Sequence, residues 1–125
     1  MGEVLRLSQP SRPVRVDRDA IDALEAALGP QACAELVEDT VLEAIDRLGA
    51  IERALGDKDF TRTGRAAREL AEGAARIGLS PLAAQARALA ECCARLDRTA
   101  SAAVGQRLLR TGETALFAGA SHGAG

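Results

Sequence analysis

The chain has 125 residues, of which 47% are hydrophobic, 27% charged and only 2% aromatic, and sixteen basic against eighteen acidic side chains leave a net charge of −2. That length suits one domain with a single core that needs neither disulfide nor metal. The balanced charge and the lack of Trp and Tyr argue against a dedicated nucleic-acid binder, which carries a basic stripe and usually stacking aromatics.

Residues 1–16 contain Pro10 and Pro13 with no sustained hydrophobic period, so they are expected to form an extended or disordered arm. From Asp17 the pattern changes. Asp17 or Asp19 can cap a short helix carrying Ile21, Leu24 and Leu28, which Gly29-Pro30 stops. Between Gln31 and Leu55 the residues Cys33, Val37, Val41, Ala44, Leu48, Ile51 and Leu55 recur at three- and four-residue steps. That spacing predicts an amphipathic helix of about seven turns. Leu42 falls about 140° from the centre of this stripe and should face solvent or a partner.

A third helix is expected from about Lys58 to Ile77, with Phe60, Thr63, Ala67, Leu70, Ala71 and Ala74 inward and Gly78 as its stop. Its outward face carries Arg65, Arg68, Glu69, Glu72 and Arg76. Ser80-Pro81 then opens a fourth helix, an N-cap followed by an N1 proline. Leu82, Ala86, Leu89, Cys93 and Leu96 form its stripe. The fifth begins near Thr99 and uses Val104, Leu108, Leu109 and Leu116, with Gly105 and Gly112 in the stripe to admit a close neighbour. Residues 119–125 are expected to be a flexible tail. No segment alternates with period two. The predicted fold is all-α: a short N-terminal helix, then an antiparallel up-down-up-down four-helix bundle over 17–118.

Cys33, Cys92 and Cys93 make an odd set with an adjacent pair, a poor disulfide framework. Cys33 and Cys93 fall on apolar faces as small core residues, and a redox role for Cys92 or Cys93 has no support in the sequence. No metal site or cofactor is expected. No apolar run approaches the roughly 20 residues needed to span a bilayer, and the N-terminus lacks the apolar segment of a secretory signal. A cytoplasmic location is the expectation.

The order of elements and the stretch Ala67-Arg68-Glu69-Leu70-Ala71-Glu72-Gly73-Ala74-Ala75-Arg76-Ile77-Gly78-Leu79 resemble the histidine-containing phosphotransfer (HPt) domain of bacterial two-component phosphorelays. The likeness spans about residues 17–118. That family's third helix carries a pattern close to A-H-x-L-K-G, followed by a hydrophobic-Gly-hydrophobic turn. Ala67, Leu70, Ile77, Gly78 and Leu79 match the scaffold positions. The chemical positions differ: Arg68 stands where the resemblance puts the phosphoryl-accepting His, Ala71 where it puts Lys, and Glu72 where it puts Gly. Shifting the register by one residue puts Glu69 at the His position and rotates everything beyond it by about 100°, so the ungapped register is preferred. His122, the one histidine, lies far off between Ser121 and Gly123.

A phosphorelay donor forms a P–N bond through a nucleophilic ring nitrogen. Arginine stays protonated and is a poor nucleophile. The resemblance therefore implies a degenerate HPt protein, not an enzyme, that docks on a response-regulator receiver domain or a sensor histidine kinase through Leu42, Arg65, Arg68, Glu69, Glu72 and Arg76. Against this stands a plain solvated helix face, held by the i,i+4 pairs Arg65–Glu69, Arg68–Glu72 and Glu72–Arg76. Two further readings are a structural or oligomerising bundle associating through the glycine-lined fifth helix, and phosphotransfer through another residue. The oligomeric state is left open by the sequence.

Overall fold

The computed structural model describes residues 17–124, with side-chain surroundings given through Leu116. Five helices follow in order: α1 Arg18–Leu28, α2 Pro30–Gly56, α3 Phe60–Arg76, α4 Ser80–Ala94 and α5 Arg98–Ala124. No strand occurs among the described residues. The expected arm, residues 1–16, lies outside them.

Each boundary has a local cause. Asp17 caps α1, its Oδ1 accepting from the Asp19 and Ala20 amides at 3.0 and 3.4 Å. Asp59 does the same for α3 through the Arg62 amide at 3.1 Å, and Asp97 for α5 through Ala100 at 3.0 Å. Pro30 and Pro81 sit in the first turns of α2 and α4, where a missing N–H costs nothing. The predicted Ser80 cap is displaced by one residue. Leu79 is the cap, without a side-chain bond, and Ser80 is already helical.

Three helices end alike. The Leu79 amide donates to the Ala74 carbonyl and the Gly78 amide to Ala75; Asp59 to Ala54 with Lys58 to Leu55, and Asp97 to Cys92 with Leu96 to Cys93, repeat the pattern. This is the Schellman closure, whose penultimate donor takes a left-handed backbone. Gly78 accepts that conformation freely at φ 80°, but Lys58 and Leu96 adopt it at 57° and 59°. Leu96 is therefore not on the α4 stripe. It belongs to the turn and is 79% exposed.

Consecutive helices pack on one another and α5 closes the ring on α2, an antiparallel four-helix bundle with α1 laid on α2. The core centres on Leu48, Ile51, Leu70, Leu82, Leu89, Leu108 and Leu116. Each such side chain contributes roughly 1.5–3 kcal/mol when fully buried. The packing of α3 on α4 suits their small buried side chains, among them Ala67, Ala71, Ala74, Ala83 and Ala86. On α2, Thr40 and Ala54 are buried while Val41 and Leu55 are only partly so, because neighbours on both sides rotate the buried face off the simple stripe.

Glycines in α5 do what their position predicts. A Cβ at Gly105 would lie 2.5 Å from Leu55 Cδ1, and one at Gly112 would lie 3.0 Å from Leu48 Cδ1. At the other end of the bundle, the Asp17 amide donates to the Gly78 carbonyl at 2.7 Å, which ties the start of α1 to the α3–α4 turn. The α5 backbone continues to Ala124, past the boundary expected at residue 118, so 119–124 is helical where a tail was predicted. That stretch has no proline, and its glycines lower helix propensity without interrupting the hydrogen-bond ladder.

Candidate functional site

The charged residues of α3 straddle two seams. Toward α2 they line a groove of about 200 Å³ formed by Thr40, Glu43, Ala44 and Arg47 of α2 and Glu69, Leu70, Glu72, Gly73 and Arg76 of α3. Arg47 Nε meets Glu69 Oε1 at 2.8 Å and bridges the two helices. Thr40 Cγ2 lies 3.4 Å from where a Gly73 Cβ would be. These two contacts set the antiparallel register, and they put Leu42 roughly level with Glu72.

Toward α4 the neighbourhood is different. Gly64 lets that helix close in, since a Cβ there would lie 3.1 Å from Cys93 Cβ and 3.8 Å from an Arg68 guanidinium nitrogen. The Arg68 side chain thus runs back along α3 over Gly64, beside the buried Cys93. Burial pushes the Cys93 thiol above its ordinary range. The Ser101 hydroxyl and the Arg68 cation oppose that rise, while neighbouring Cys92 adds to it. The Ser101 hydroxyl is fully buried and meets no partner at full hydrogen-bonding geometry. A thiol held protonated is the less nucleophilic form.

The predicted face is therefore divided. Glu69, Glu72 and Arg76 come together in the groove, whereas Arg65, Arg68 and Leu42 do not line it. Leu42 is 58% exposed, as its place off the stripe predicts. Arg65 and Arg68 are exposed as well. None of the three i,i+4 pairs foreseen along α3 closes within ion-pair distance among the described residues. Glu69 turns to Arg47 instead, because a partner across the groove competes with one on its own helix. Ala71 is buried, as its place on the inward stripe of α3 predicts.

Thr40, Glu43, Arg47 and Gly73 are the site residues that sequence reasoning missed. Their signal was present: Glu43 and Arg47 flank Ala44 on the side of α2 that an antiparallel α3 must meet. Among the described residues no group of three or more His, Cys, Asp or Glu is placed to hold a metal ion. No helix there is long and apolar enough to cross a membrane.

The whole arrangement matches a solved structure. The crystal structure of histidine-containing phosphotransfer protein B (HptB) from Pseudomonas aeruginosa PAO1 aligns with a TM-score of 0.75 over 88% of this chain and 91% of that one, at 20% identity. The fold is HPt-like. No protein-family model matches the chain, and no curated protein matches its sequence. In this HPt-like bundle Arg68 lies at the middle of α3 on its exposed side, and Ile77-Gly78-Leu79 forms the turn that ends the helix, with Ile77 and Leu79 buried.

Proposed function

We propose that this protein is an HPt-like adaptor of two-component signalling, which docks on a receiver domain or a sensor histidine kinase and carries no phosphohistidine. Arg68 carries this reading: a guanidinium at the centre of the exposed side of α3, at the position where the family pattern has its histidine. It cannot accept a phosphoryl group as an imidazole does. It can pair with carboxylates, and a receiver's phosphorylation pocket is built from aspartates. Glu72, one turn on, adds negative charge where an incoming phosphoryl group would sit.

Leu42, level with Glu72 on α2, supplies an apolar contact beside the charges, which is ordinary interface anatomy. The competing oligomerising role loses its device, because Gly105 and Gly112 already receive Leu55 and Leu48 of the same chain. The test is a binding titration of receiver and kinase domains by calorimetry with wild type and Arg68→Glu. Weakened binding at unchanged helicity and melting temperature is expected. Equal binding by the two proteins would return Arg68 to plain solvated surface.

A further inference from the structure

We infer that this chain self-associates by laying the outward stripe of α2 in one copy on the outward stripe of α5 in a second copy. The inference goes beyond the adaptor reading and does not depend on it. Charge is divided unevenly along the sequence. From Asp17 to Asp57 eleven carboxylates stand against three arginines, whereas from Lys58 onward ten basic side chains stand against six acidic ones. Because α1 packs on α2, the carboxylates collect at one corner of the bundle. The first half of α5 is the opposite case. Arg98, Arg107 and Arg110 lie in a span that holds no carboxylate.

Two exposed stripes complement one another. On α2, Glu35, Glu38, Leu42 and Asp46 follow at three- and four-residue steps, so they share one face, and all are exposed. Leu42 is an apolar knob with a carboxylate one turn to either side. On α5, Ala103, Arg107, Arg110 and Thr114 follow in the same way and are exposed as well. The ion pairs among the described residues take up none of these charges. Glu35 with Glu38, and Arg107 with Arg110, are like charges within one turn that repel in the free chain. Pairing the stripes relieves both. Guanidiniums meet carboxylates in charge-assisted bonds, while their aliphatic stems and the Ala103 methyl seat Leu42. The occupant is a second copy because every molecule carries both halves of the match. A small anion would answer α5 alone and a small cation α2 alone, and neither seats Leu42. The contact is separate from Gly105 and Gly112, whose space is filled within the chain. Leu42 also belongs to the proposed docking face, so self-association and docking compete for it.

The experiment is sedimentation equilibrium of the full chain, with ¹⁵N-amide spectra recorded over a range of protein concentrations. At low salt the mass should climb above the 13.0 kDa monomer as concentration rises. It should fall back at 1 M salt, where the screening length shrinks to about 3 Å. Concentration-dependent shifts are expected at Glu38, Leu42, Asp46, Ala103 and Arg107, larger than those at Leu96. Glu38→Lys with Asp46→Lys, and separately Arg107→Glu with Arg110→Glu, should each weaken self-association about tenfold or more. An equimolar mixture of these two variants should associate, because each supplies the stripe that the other lacks. A monomer at every concentration, shifts at α2 that do not depend on concentration, or a mixture that stays monomeric overturns the inference. Arg68→Glu should leave self-association unchanged. Failure of the adaptor reading would appear separately, as no binding of receiver or kinase domains by wild type.

Discussion

Lys58 and Leu96 hold left-handed backbones that glycine adopts without penalty, at φ 57° and 59°. An L side chain there costs about 1–2 kcal/mol, partly offset by the flexibility that glycine adds to the unfolded chain. Leu96→Gly should therefore raise stability by up to about 1 kcal/mol, read as a higher urea midpoint with unchanged slope. No gain would mean that the exposed Leu96 side chain makes contacts that offset its strain. Gly78 is the converse case. Its φ is 80°, and a Cβ would lie 2.8 Å from the Asp17 carbonyl oxygen, a backbone atom that cannot swing aside. Gly78→Ala should cost more than about 1 kcal/mol and speed amide exchange in the first turn of α1. At Cys93 the raised thiol pKa has a simple sign. The thiol form persists at neutral pH, so a Cys33→Ser/Cys92→Ser variant should react with a disulfide reagent more slowly folded than unfolded at pH 8. Equal rates would contradict the burial of Cys93.

Along the helices, the sequence was most legible where one face does one job. Asp17 marks a terminus through its side-chain cap and Gly29-Pro30 and Gly78 through backbone conformation, and the α3 stripe from Thr63 to Ala74 is buried as its period implies. It was least legible where a helix serves several neighbours. On α2, contact with α1, α3 and α5 buries Thr40 and Ala54 while leaving Val41 and Leu55 half-covered, and no single-stripe reading captures that. Leu96 looked like a core residue by spacing, but a helix end overrides periodicity. The groove was half legible: α3 contributed Glu69, Glu72 and Arg76, but Thr40 and Gly73 become partners only through the interhelical register. Two substitutions test this packing. Leu48→Ala should cost about 2–5 kcal/mol. Ala83→Leu, which overfills the alanine seam between α3 and α4, should cost about 1–3 kcal/mol, where a seam with slack would absorb the larger side chain at little cost.

At the scale of the whole molecule, the proposed role is docking by an HPt-like bundle without phosphotransfer. Arg68→His alone should restore little transfer, because Glu72 still adds bulk and negative charge beside the new imidazole. Combining it with Ala71→Lys and Glu72→Gly gives the best chance of transfer. Ala71 is buried in the core, however, so a lysine there must snorkel out of it, and the triple variant should be less stable than wild type. The most direct measurement is native gel autoradiography of the full chain mixed with a receiver domain radiolabelled on its aspartate, and with an autophosphorylated sensor kinase. The prediction is a mobility shift that marks a complex with at least one of them, while all label stays on the receiver or kinase when the bands are resolved under denaturing conditions. Label appearing on this chain, or no complex with either class of partner, would contradict the account.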